Sequence, residues 1–163
     1  MTEPDAAPDF ILVHATCVAL GACGVLLRGP SGSGKSDLAL QLIDLPGFGI
    51  GQAALAARLV ADDQVMLTRA AGRLMAAPPP RLAGLLEIRG LGIVNLQKAG
   101  PVPLGLVVDL APVASIGRYP VEVGEAEFLG CRVPVVSIDA TVPSAAARVR
   151  AAMAHLVRKA PLP

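Results

Sequence analysis

Residues 29–36 read GPSGSGKS and match the pattern GxxxxGK[ST] in full. An apolar stretch precedes them and a segment with apolar residues at helical spacing follows, which is the strand–loop–helix context that this pattern requires. Glycines let backbone N–H groups curl around an anion without clashes from Cβ atoms, and the start of a helix adds free donors and partial positive charge. The sequence therefore predicts an α/β fold with a phosphate loop.

The end of this loop favours a nucleoside triphosphate with its metal over other anions. In loops of this pattern the lysine reaches the β- and γ-phosphates, and the hydroxyl that follows it ligates Mg²⁺. Lys35 and Ser36 occupy these two positions. The residues expected to bind the nucleotide are Gly29, Pro30, Ser31, Gly32, Ser33, Gly34, Lys35 and Ser36.

Composition argues against several other classes of protein. A hydrophobic content of 53% is too high for a disordered chain. The net charge of +1 and an aromatic content of 2% argue against nucleic-acid binding, which needs basic surfaces and stacking rings. The longest apolar stretch, at 15–27, is shorter than the ~20 residues that a membrane-spanning helix needs. We therefore expect no nucleic-acid or membrane partner.

The ends of the chain and its cysteines bear on domain organisation and location. A length of 163 residues is typical of one domain. Residues 1–9 are acidic and Pro-rich and lack the basic start of a signal peptide, and three cysteines without a CxxC pair suit a reducing compartment. We expect a flexible tail over 1–9, a single domain with the phosphate loop over 10–163 and a cytoplasmic location.

The rest of the chain predicts more strands than helices. Apolar runs predict strands at 16–20, 24–27, 59–61, 74–77, 104–110 and 133–138, with a hairpin turn at 21–22. Helical spacing predicts helices at 37–44 and 144–159, the second with Ser144 near its N-cap and with Arg148 and Arg150 on its polar side. This count favours a mixed sheet over a simple alternation of strands and helices.

Two segments could supply a carboxylate for a metal beside the phosphate loop. Asp62 and Asp63 follow one apolar run, and Asp109 follows another. Adjacent carboxylates repel each other, so such a pair usually lies beside a cation or in water. In a strand the two would point to opposite faces, so that one could face the phosphates. Both segments could also be solvated strand ends.

Three further side chains have both a structural and a functional interpretation. His14 precedes the loop by a hairpin's length and could return to it, although a lone histidine after an apolar run is more often structural. Glu87 and Arg89 flank one residue of a strand-like segment and should share a face. That pair suits Mg²⁺ and phosphate, and it equally suits a surface ion pair.

Together these residues resemble the catalytic domain of bacterial HPr kinase/phosphorylase. The resemblance covers about residues 10–140 and is carried by His14, the loop, LVADD at 59–63 and above all LEIRGLGIVN at 86–95. It implies a mixed β-sheet with few helices, similar to the phosphoenolpyruvate carboxykinase-like fold, in a short form without the family's N-terminal domain. It also implies an ATP- and Mg²⁺-dependent kinase that phosphorylates a serine of HPr, or of an HPr-like phosphocarrier of the sugar phosphotransferase system, and a homo-oligomer.

The resemblance also implies residue roles. One carboxylate of the aspartate pair takes the proton of the serine hydroxyl, and the spacing favours Asp63 over Asp62. The positions that match catalytic residues are His14, Lys35, Asp62, Asp63 and Arg118, and those that match metal ligands are Ser36 and Glu87.

The segment 139–144 departs from the family pattern. Residues 139–144 stand where the family has a Pro-, Arg- and Gly-rich stretch linked to dephosphorylation, and they contain no arginine. Since a site for inorganic phosphate needs a guanidinium or an equivalent, the sequence supports the kinase reaction and not the phosphorylase reaction. A nucleotide-binding regulator without phosphotransfer and a P-loop small-molecule kinase are the alternatives.

Overall fold

The computed structural model describes residues 10–45, 47, 55–119 and 123–157. Short 3₁₀ turns lie at Pro80–Leu82 and Val113–Ser115, and a π-helical turn at Met153–Val157. The strands and helices of these residues are β1 (Phe10–His14), β2 (Thr16–Leu20), β3 (Cys23–Arg28), α1 (Lys35–Asp44), β4 (Ala57–Ala61), β5 (Gln64–Ala70), β6 (Arg73–Ala77), β7 (Leu85–Ile88), β8 (Gly92–Asn95), β9 (Val102–Leu110), β10 (Gly124–Phe128), β11 (Cys131–Ile138) and α2 (Ala145–Ala152).

Most of the strands form one mixed sheet of nine strands. Its main path is β1-β5-β6-β9-β3-β2-β4, and β11 joins β9 while β10 pairs with β11. The pairs β3–β9 and β9–β11 are parallel, and the other pairs are antiparallel. Strands β7 and β8 form a separate antiparallel hairpin. This architecture confirms the predicted α/β fold with a mixed sheet and few helices.

The core lies on both faces of the central strands. Strand β2 is buried at every position, and its residues alternate between two apolar clusters. On one face Val18 packs in a cluster with Leu38 and Leu42 of α1 and with Val149 of α2. On the other face Cys17 packs in a cluster that includes residues of β5, β6 and β10. Burial of both faces explains why these strands read as continuous apolar runs.

The hairpin of β2 and β3 places the phosphate loop. The predicted turn at 21–22 is confirmed, because Leu20 pairs with Cys23 and Thr16 pairs with Leu27. Strand β3 therefore ends beside the start of β2 and runs directly into residues 29–34. Helix α1 then begins at Lys35, two residues before the predicted start at 37. The loop lies between a buried strand and a helix anchored in the core.

The C-terminal helix has Ser144 at its N-cap, as predicted, and differs from its prediction in extent. It is α-helical only over Ala145–Ala152 before the π-helical turn, and residues 158–159 lie outside the described residues. Ser144 makes no side-chain cap, since its Oγ accepts a hydrogen bond of 2.9 Å from Nε of Arg148.

Arg150, predicted on the polar side of this helix, is only 7% exposed. Its guanidinium donates to the carbonyl oxygens of Leu42, Leu45 and Leu55. Two of these carbonyls belong to the end of α1, where a cation also meets the negative end of the helix dipole. Arg150 therefore joins the two helices, and the desolvation that accompanies its burial lowers its pKa.

Several elements have no counterpart in the sequence prediction. Strand β10 and the β7–β8 hairpin were not expected, and the hairpin occupies most of the stretch 86–95. The turn between its strands contains Gly90 with φ of 86°, and β8 starts at Gly92 with φ of 92°. The tail expected at 1–9 lies outside the described residues. None of the helices among residues 10–45, 55–119 and 123–157 has the length and apolarity needed to cross a bilayer.

Candidate functional site

The phosphate loop depends on glycine at two points. Gly34 caps α1 with φ of 97°, and a Cβ atom there would lie 3.0 Å from Cβ of Ala140. A Cβ atom on Gly29 would lie 2.5 Å from Oγ of Ser33. Gly34 thus needs both a left-handed conformation and free space, and Gly29 needs the space alone.

Lys35 lies at the junction of the loop and α1. Its side chain is 8% exposed, and Nζ donates hydrogen bonds to the carbonyl oxygens of Gly29, at 2.8 Å, and Pro30, at 3.0 Å. The ammonium therefore closes the loop across its first two residues. An ammonium carries three protons, so it keeps a donor for a ligand in the pocket that Lys35 lines.

Asp62 connects the loop to the end of β4. Its carboxylate accepts hydrogen bonds from Oγ of Ser36, at 3.0 Å to Oδ1 and 3.2 Å to Oδ2. Oδ1 also accepts a bond of 2.7 Å from Oγ1 of Thr16, and Oδ2 accepts one of 3.3 Å from the backbone N–H of Glu87. Since Asp62 is only 8% exposed, these donors supply what water would otherwise provide.

Asp63 lies next to Asp62 but in a different environment. It has φ of 67°, and the N–H of Gln64 bonds the carbonyl oxygen of Asp62 at 2.8 Å, so the chain turns tightly at Asp63. The side chain is 71% exposed, with Oδ1 lying 3.5 Å from Nδ1 of His14. The expected alternation of the two aspartates within a strand is wrong, because β4 ends at Ala61 and both lie in the following turn.

The β7–β8 hairpin supplies the third side of the site. Leu86 is fully buried and anchors the hairpin, whereas Glu87 is exposed on the pocket. Arg89 also lines the pocket, but it lies in the turn after β7, which ends at Ile88, so the predicted shared strand face is not what brings it there. The site therefore holds a carboxylate and a guanidinium in the same pocket as the phosphate loop.

These elements enclose a pocket of about 460 Å³. It gathers predicted residues from four separate parts of the chain: His14, Ser31, Gly32, Gly34, Lys35, Ser36, Asp62, Asp63 and Glu87. Gly29, Pro30 and Ser33 belong to the loop but do not line the pocket. Asp37, Ile88, Gly90 and Gly92 also line it and were not predicted as site residues, although the last three belong to the stretch 86–95 that carries the resemblance.

Asp109, the other candidate carboxylate, has a different partner. It accepts hydrogen bonds from Nε and Nη2 of Arg28, at 2.7 Å and 2.9 Å. The two residues are paired in the parallel register of β3 and β9. The Arg28 guanidinium also lies 5.8 Å from the ring centre of Phe128. Asp109 does not line the pocket, so the structure places Asp62 and not Asp109 in the candidate site.

Arg118, predicted at a catalytic position, is not brought to this pocket. It is exposed in the segment that follows the 3₁₀ turn after β9, and it is not among the lining residues. Arg89 supplies a guanidinium at the pocket instead. The role implied for Arg118 stays a prediction.

The donor set fits a nucleoside triphosphate with Mg²⁺. Mg²⁺ in nucleotide sites usually takes one or two protein carboxylates, with phosphates and waters completing its shell. Ser36, Asp62 and Glu87 offer a hydroxyl and two carboxylates beside Lys35. No group of three or more His, Cys, Asp or Glu able to hold a metal occurs in the part of the chain that the structure describes, so a metal held by protein alone is not indicated there.

The chain is similar to known proteins over most of its length. The family model described as "HPr Serine kinase C-terminal domain" matches residues 7–159. The HPr kinase/phosphorylase of Clostridium tetani is 38% identical over 110 residues, which are 68% of this chain and 32% of that protein. That of Geobacillus kaustophilus is 35% identical over 137 residues, which are 77% of this chain and 41% of that protein. The chain spans less than half the length of these two relatives.

A solved structure shows the same fold. The HPr(Ser) kinase/phosphatase from Coxiella burnetii superposes with a TM-score of 0.71 at 23% identity, over 91% of this chain and 95% of that chain. Since the family model covers nearly the whole sequence, from residue 7 to residue 159, the chain belongs to the family of HPr serine kinase C-terminal domains.

Proposed function

We propose that this chain is the catalytic unit of an ATP-dependent kinase that phosphorylates a serine of HPr or of an HPr-like phosphocarrier in the sugar phosphotransferase system. The observation that carries the proposal is the convergence of the phosphate loop, Asp62 and Glu87 on one pocket. Two relatives that match this chain are named HPr kinase/phosphorylase, which supports HPr as the protein substrate.

ATP is held by the backbone of the phosphate loop and by Lys35. The ammonium stabilises negative charge on the β- and γ-phosphates, and Arg89, which lines the same pocket, offers a second positive charge. Mg²⁺ would be held by Ser36 and Glu87, with Asp62 behind Ser36, and would neutralise charge on the phosphate oxygens. Positioning and charge stabilisation supply most of the catalysis, since phosphoryl transfer asks little covalent chemistry of the protein.

Asp63 is our choice for the base that accepts the proton of the incoming serine hydroxyl. Asp62 is buried and occupied by three donors, whereas Asp63 is exposed on the pocket where a protein substrate would approach. His14 lies beside Asp63 and orients its carboxylate. The strained turn at Asp63 fits a functional residue, because backbone strain of this kind concentrates at active sites.

The dephosphorylation reaction forms no part of the proposal. Ala140, in the segment 139–144, lies against Gly34 of the phosphate loop, and that segment contains no arginine. Arg118 enters the proposal only as a group that contacts substrate from outside the pocket. Arg118→Met tests this role, with a loss of phosphotransfer expected if the guanidinium takes part.

The test is phosphotransfer from radiolabelled ATP to purified HPr. Label on a serine of HPr, identified by mass spectrometry of the peptide, supports the proposal. Lys35→Met should lower the rate by about 10²–10³-fold, the usual cost of losing one charge-stabilising donor. Lys98→Met is the matched control, because Lys98 is exposed and lies outside the pocket.

Two other results would replace the proposal. Tight ATP binding without transfer to HPr would indicate a nucleotide-binding regulator. Transfer to a small metabolite in a substrate panel, with HPr unlabelled, would indicate a small-molecule kinase.

We also propose a cytoplasmic homo-oligomer that binds neither nucleic acid nor membrane. Cys17, Cys23 and Cys131 are free, as suits a reducing compartment. Phe10 and Leu12 are about half exposed on β1, which is at the edge of the sheet. Exposed apolar side chains on such an edge suit contact with another protein surface. Light scattering coupled to size-exclusion chromatography measures the oligomeric state.

A further inference from the structure

A buried hydroxyl lies behind the candidate metal site and is not part of the phosphate-loop pattern. Thr16, at the start of β2, has no exposed surface, and its Oγ1 donates a hydrogen bond of 2.7 Å to Oδ1 of Asp62. Of the bonds described above at this carboxylate it is the shortest. The two residues are 46 positions apart, so nothing local in the sequence pairs them.

The position of this hydroxyl is fixed by the sheet. Strand β2 is paired on both sides, with Thr16 opposite Leu27 of β3 and with Cys17 opposite Ala61 of β4. Thr16 therefore lies beside the point where β4 ends and Asp62 follows. A β-branched side chain has restricted χ1 freedom, so the strand holds the hydroxyl in one direction.

Ser36 donates to the same carboxylate, but it lies in a more exposed position than Thr16. It lies in the first turn of α1, is partly exposed and lines the pocket. Its oxygen would offer a lone pair to Mg²⁺ while its O–H keeps donating to Asp62, so its place would change with the ligand, whereas Thr16 does not line the pocket. Thr16 thus supplies an anchor that does not depend on the ligand.

We propose that Thr16 is a positioning residue, whose hydroxyl holds the Asp62 carboxylate toward Ser36 so that Mg²⁺–ATP can bind. The inference rests on the proposed function only for the identity of the ligand. Groups that hydrogen-bond the ligands of a metal usually change affinity by about 10–100-fold when they are removed. Asp62 is such a group for Ser36, and Thr16 acts one bond further back, so we expect an effect at the lower end of that range. Without the Thr16 hydroxyl, Oδ1 of Asp62 would keep only the bond from Ser36, a residue of the pocket itself.

The test compares variants with and without the hydroxyl by calorimetric titration with ATP, in Mg²⁺ and in EDTA. Thr16→Val keeps the shape and removes the donor, and Thr16→Ser keeps the donor and removes a buried methyl group. Mg²⁺ should raise the ATP affinity of the wild-type protein, and in Thr16→Val we expect this gain to be about 10-fold smaller. The ATP affinity of Thr16→Val in EDTA should stay near that of wild type. Thr16→Ser should stay within about 3-fold of wild type in both conditions, since it keeps the donor.

Stability measurements separate positioning from a purely structural role. Urea unfolding of each variant measures the loss in its free energy of unfolding. A purely structural role predicts that the variants that lose more stability also lose more of the gain in ATP affinity that Mg²⁺ gives. Thr16→Ala, a second variant without the donor, should reproduce the Thr16→Val result if Thr16→Val folds poorly. The inference is overturned if Mg²⁺ raises the ATP affinity of Thr16→Val and Thr16→Ala as much as it does that of wild type. It is also overturned if Thr16→Ser loses as much of that gain as Thr16→Val.

Phosphotransfer to HPr then separates this inference from the proposed function. A wild-type protein that binds Mg²⁺–ATP but leaves HPr unlabelled contradicts the kinase proposal, and the Thr16 result stands on binding alone. A wild-type protein whose ATP affinity does not respond to Mg²⁺ overturns both. In an active enzyme, Thr16→Val should raise the KM for Mg²⁺ more than it lowers kcat at saturating Mg²⁺.

Discussion

The hydroxyl of Ser36 lies 3.0 Å from Oδ1 and 3.2 Å from Oδ2 of Asp62, although 26 positions separate the two residues. This contact joins the start of α1 to the end of β4. The phosphate loop and the Asp62 carboxylate therefore belong to the same site. Asp63 is the next residue, yet it is exposed and lies beside His14. The two neighbouring aspartates therefore have different surroundings and should respond differently to the same substitution.

Substitution of each aspartate by asparagine distinguishes the metal-binding role proposed for Asp62 from the role as a base proposed for Asp63. Asp62→Asn should weaken Mg²⁺-dependent ATP binding, because it removes the negative charge beside Ser36. Asp63→Asn should leave ATP binding near wild type and lower phosphotransfer by about 10²–10⁴-fold, the usual contribution of a positioned base. Calorimetry with Mg²⁺–ATP and labelled phosphotransfer to HPr measure the two effects.

Asparagine is the appropriate replacement at 63 for a backbone reason. Asp63 has φ of 67°, a region that asparagine adopts more readily than most other residues. Loss of transfer in this variant therefore reports the carboxylate and not the turn. Full activity of Asp63→Asn contradicts the base assignment, and an unchanged Mg²⁺ requirement in Asp62→Asn contradicts the metal role of that carboxylate.

Alanine at Gly29 should damage the phosphate loop through contact and not through backbone strain. The new Cβ atom would lie 2.5 Å from Oγ and 3.1 Å from Cβ of Ser33, so the loop has to shift. We expect a loss of about 10-fold or more in ATP affinity, since the backbone donors of a phosphate loop must converge on the ligand. Fluorescence titration with a labelled ATP analogue measures it.

Gly100→Ala is the control for this substitution. No atom lies within 4 Å of a Cβ built at Gly100, and its φ is outside the left-handed region. This variant should bind the ATP analogue like wild type. Equal affinity in Gly29→Ala and Gly100→Ala contradicts the tight fit of the loop.

The parts of the site that the sequence predicted are those determined locally. The phosphate loop is eight consecutive residues, and the β2–β3 hairpin closes through the pair Leu20–Cys23. The choice between Asp62 and Asp109 could not be made in this way. It depends on the parallel register that sets Arg28 opposite Asp109, two residues 81 positions apart.

Contacts between distant elements explain the other differences. Arg150 has the polarity of a surface residue, and only the position of α2 against the end of α1 makes it a buried donor. The hairpin of β7 and β8 is short and exposes Leu91 and Ile93, so its apolar pattern does not alternate like that of a half-buried strand. The Thr16–Asp62 bond likewise depends on the pairing of β2 with β4.

Arg150 should contribute strongly to stability. Arg150→Met keeps most of the side-chain volume but leaves the carbonyls of Leu42, Leu45 and Leu55 without this donor. We expect a loss of about 3 kcal/mol in the free energy of unfolding, because buried hydrogen bonds from a charged group are each worth about 1.5–3 kcal/mol and are partly replaced by water. Urea denaturation followed by circular dichroism measures it.

Arg148→Met is the matched control on the same helix. Arg148 is exposed and bonds Oγ of Ser144 at the surface, so its replacement should change stability by about 0.5 kcal/mol or less. Similar losses in the two variants contradict the role of Arg150 as the link between α1 and α2.

Asp139 should make the stability of the fold depend on acid pH. Its carboxylate accepts hydrogen bonds from Oγ1 and the N–H of Thr141, at 2.6 Å and 2.9 Å, and from the N–H of Val113, at 2.7 Å. These bonds, with that from the Thr141 hydroxyl the largest influence, lower the pKa of Asp139 in the folded protein. A lowered folded pKa stabilises the fold above the unfolded value of about 3.9, and this stabilisation disappears as pH falls through the folded value.

The comparison that checks this is thermal unfolding between pH 7 and pH 3 for wild type and two variants. Asp139→Asn should be less stable than wild type at pH 7, and the difference should shrink below about pH 4 as the wild-type carboxyl becomes protonated. Thr141→Val removes the largest cause of the shift and should show part of the same pH dependence. Ser115→Ala, which removes an exposed hydroxyl bonded to the carbonyl of Pro112, should follow wild type at every pH. A wild-type-minus-Asp139→Asn difference that stays constant from pH 7 to pH 3 contradicts the lowered pKa.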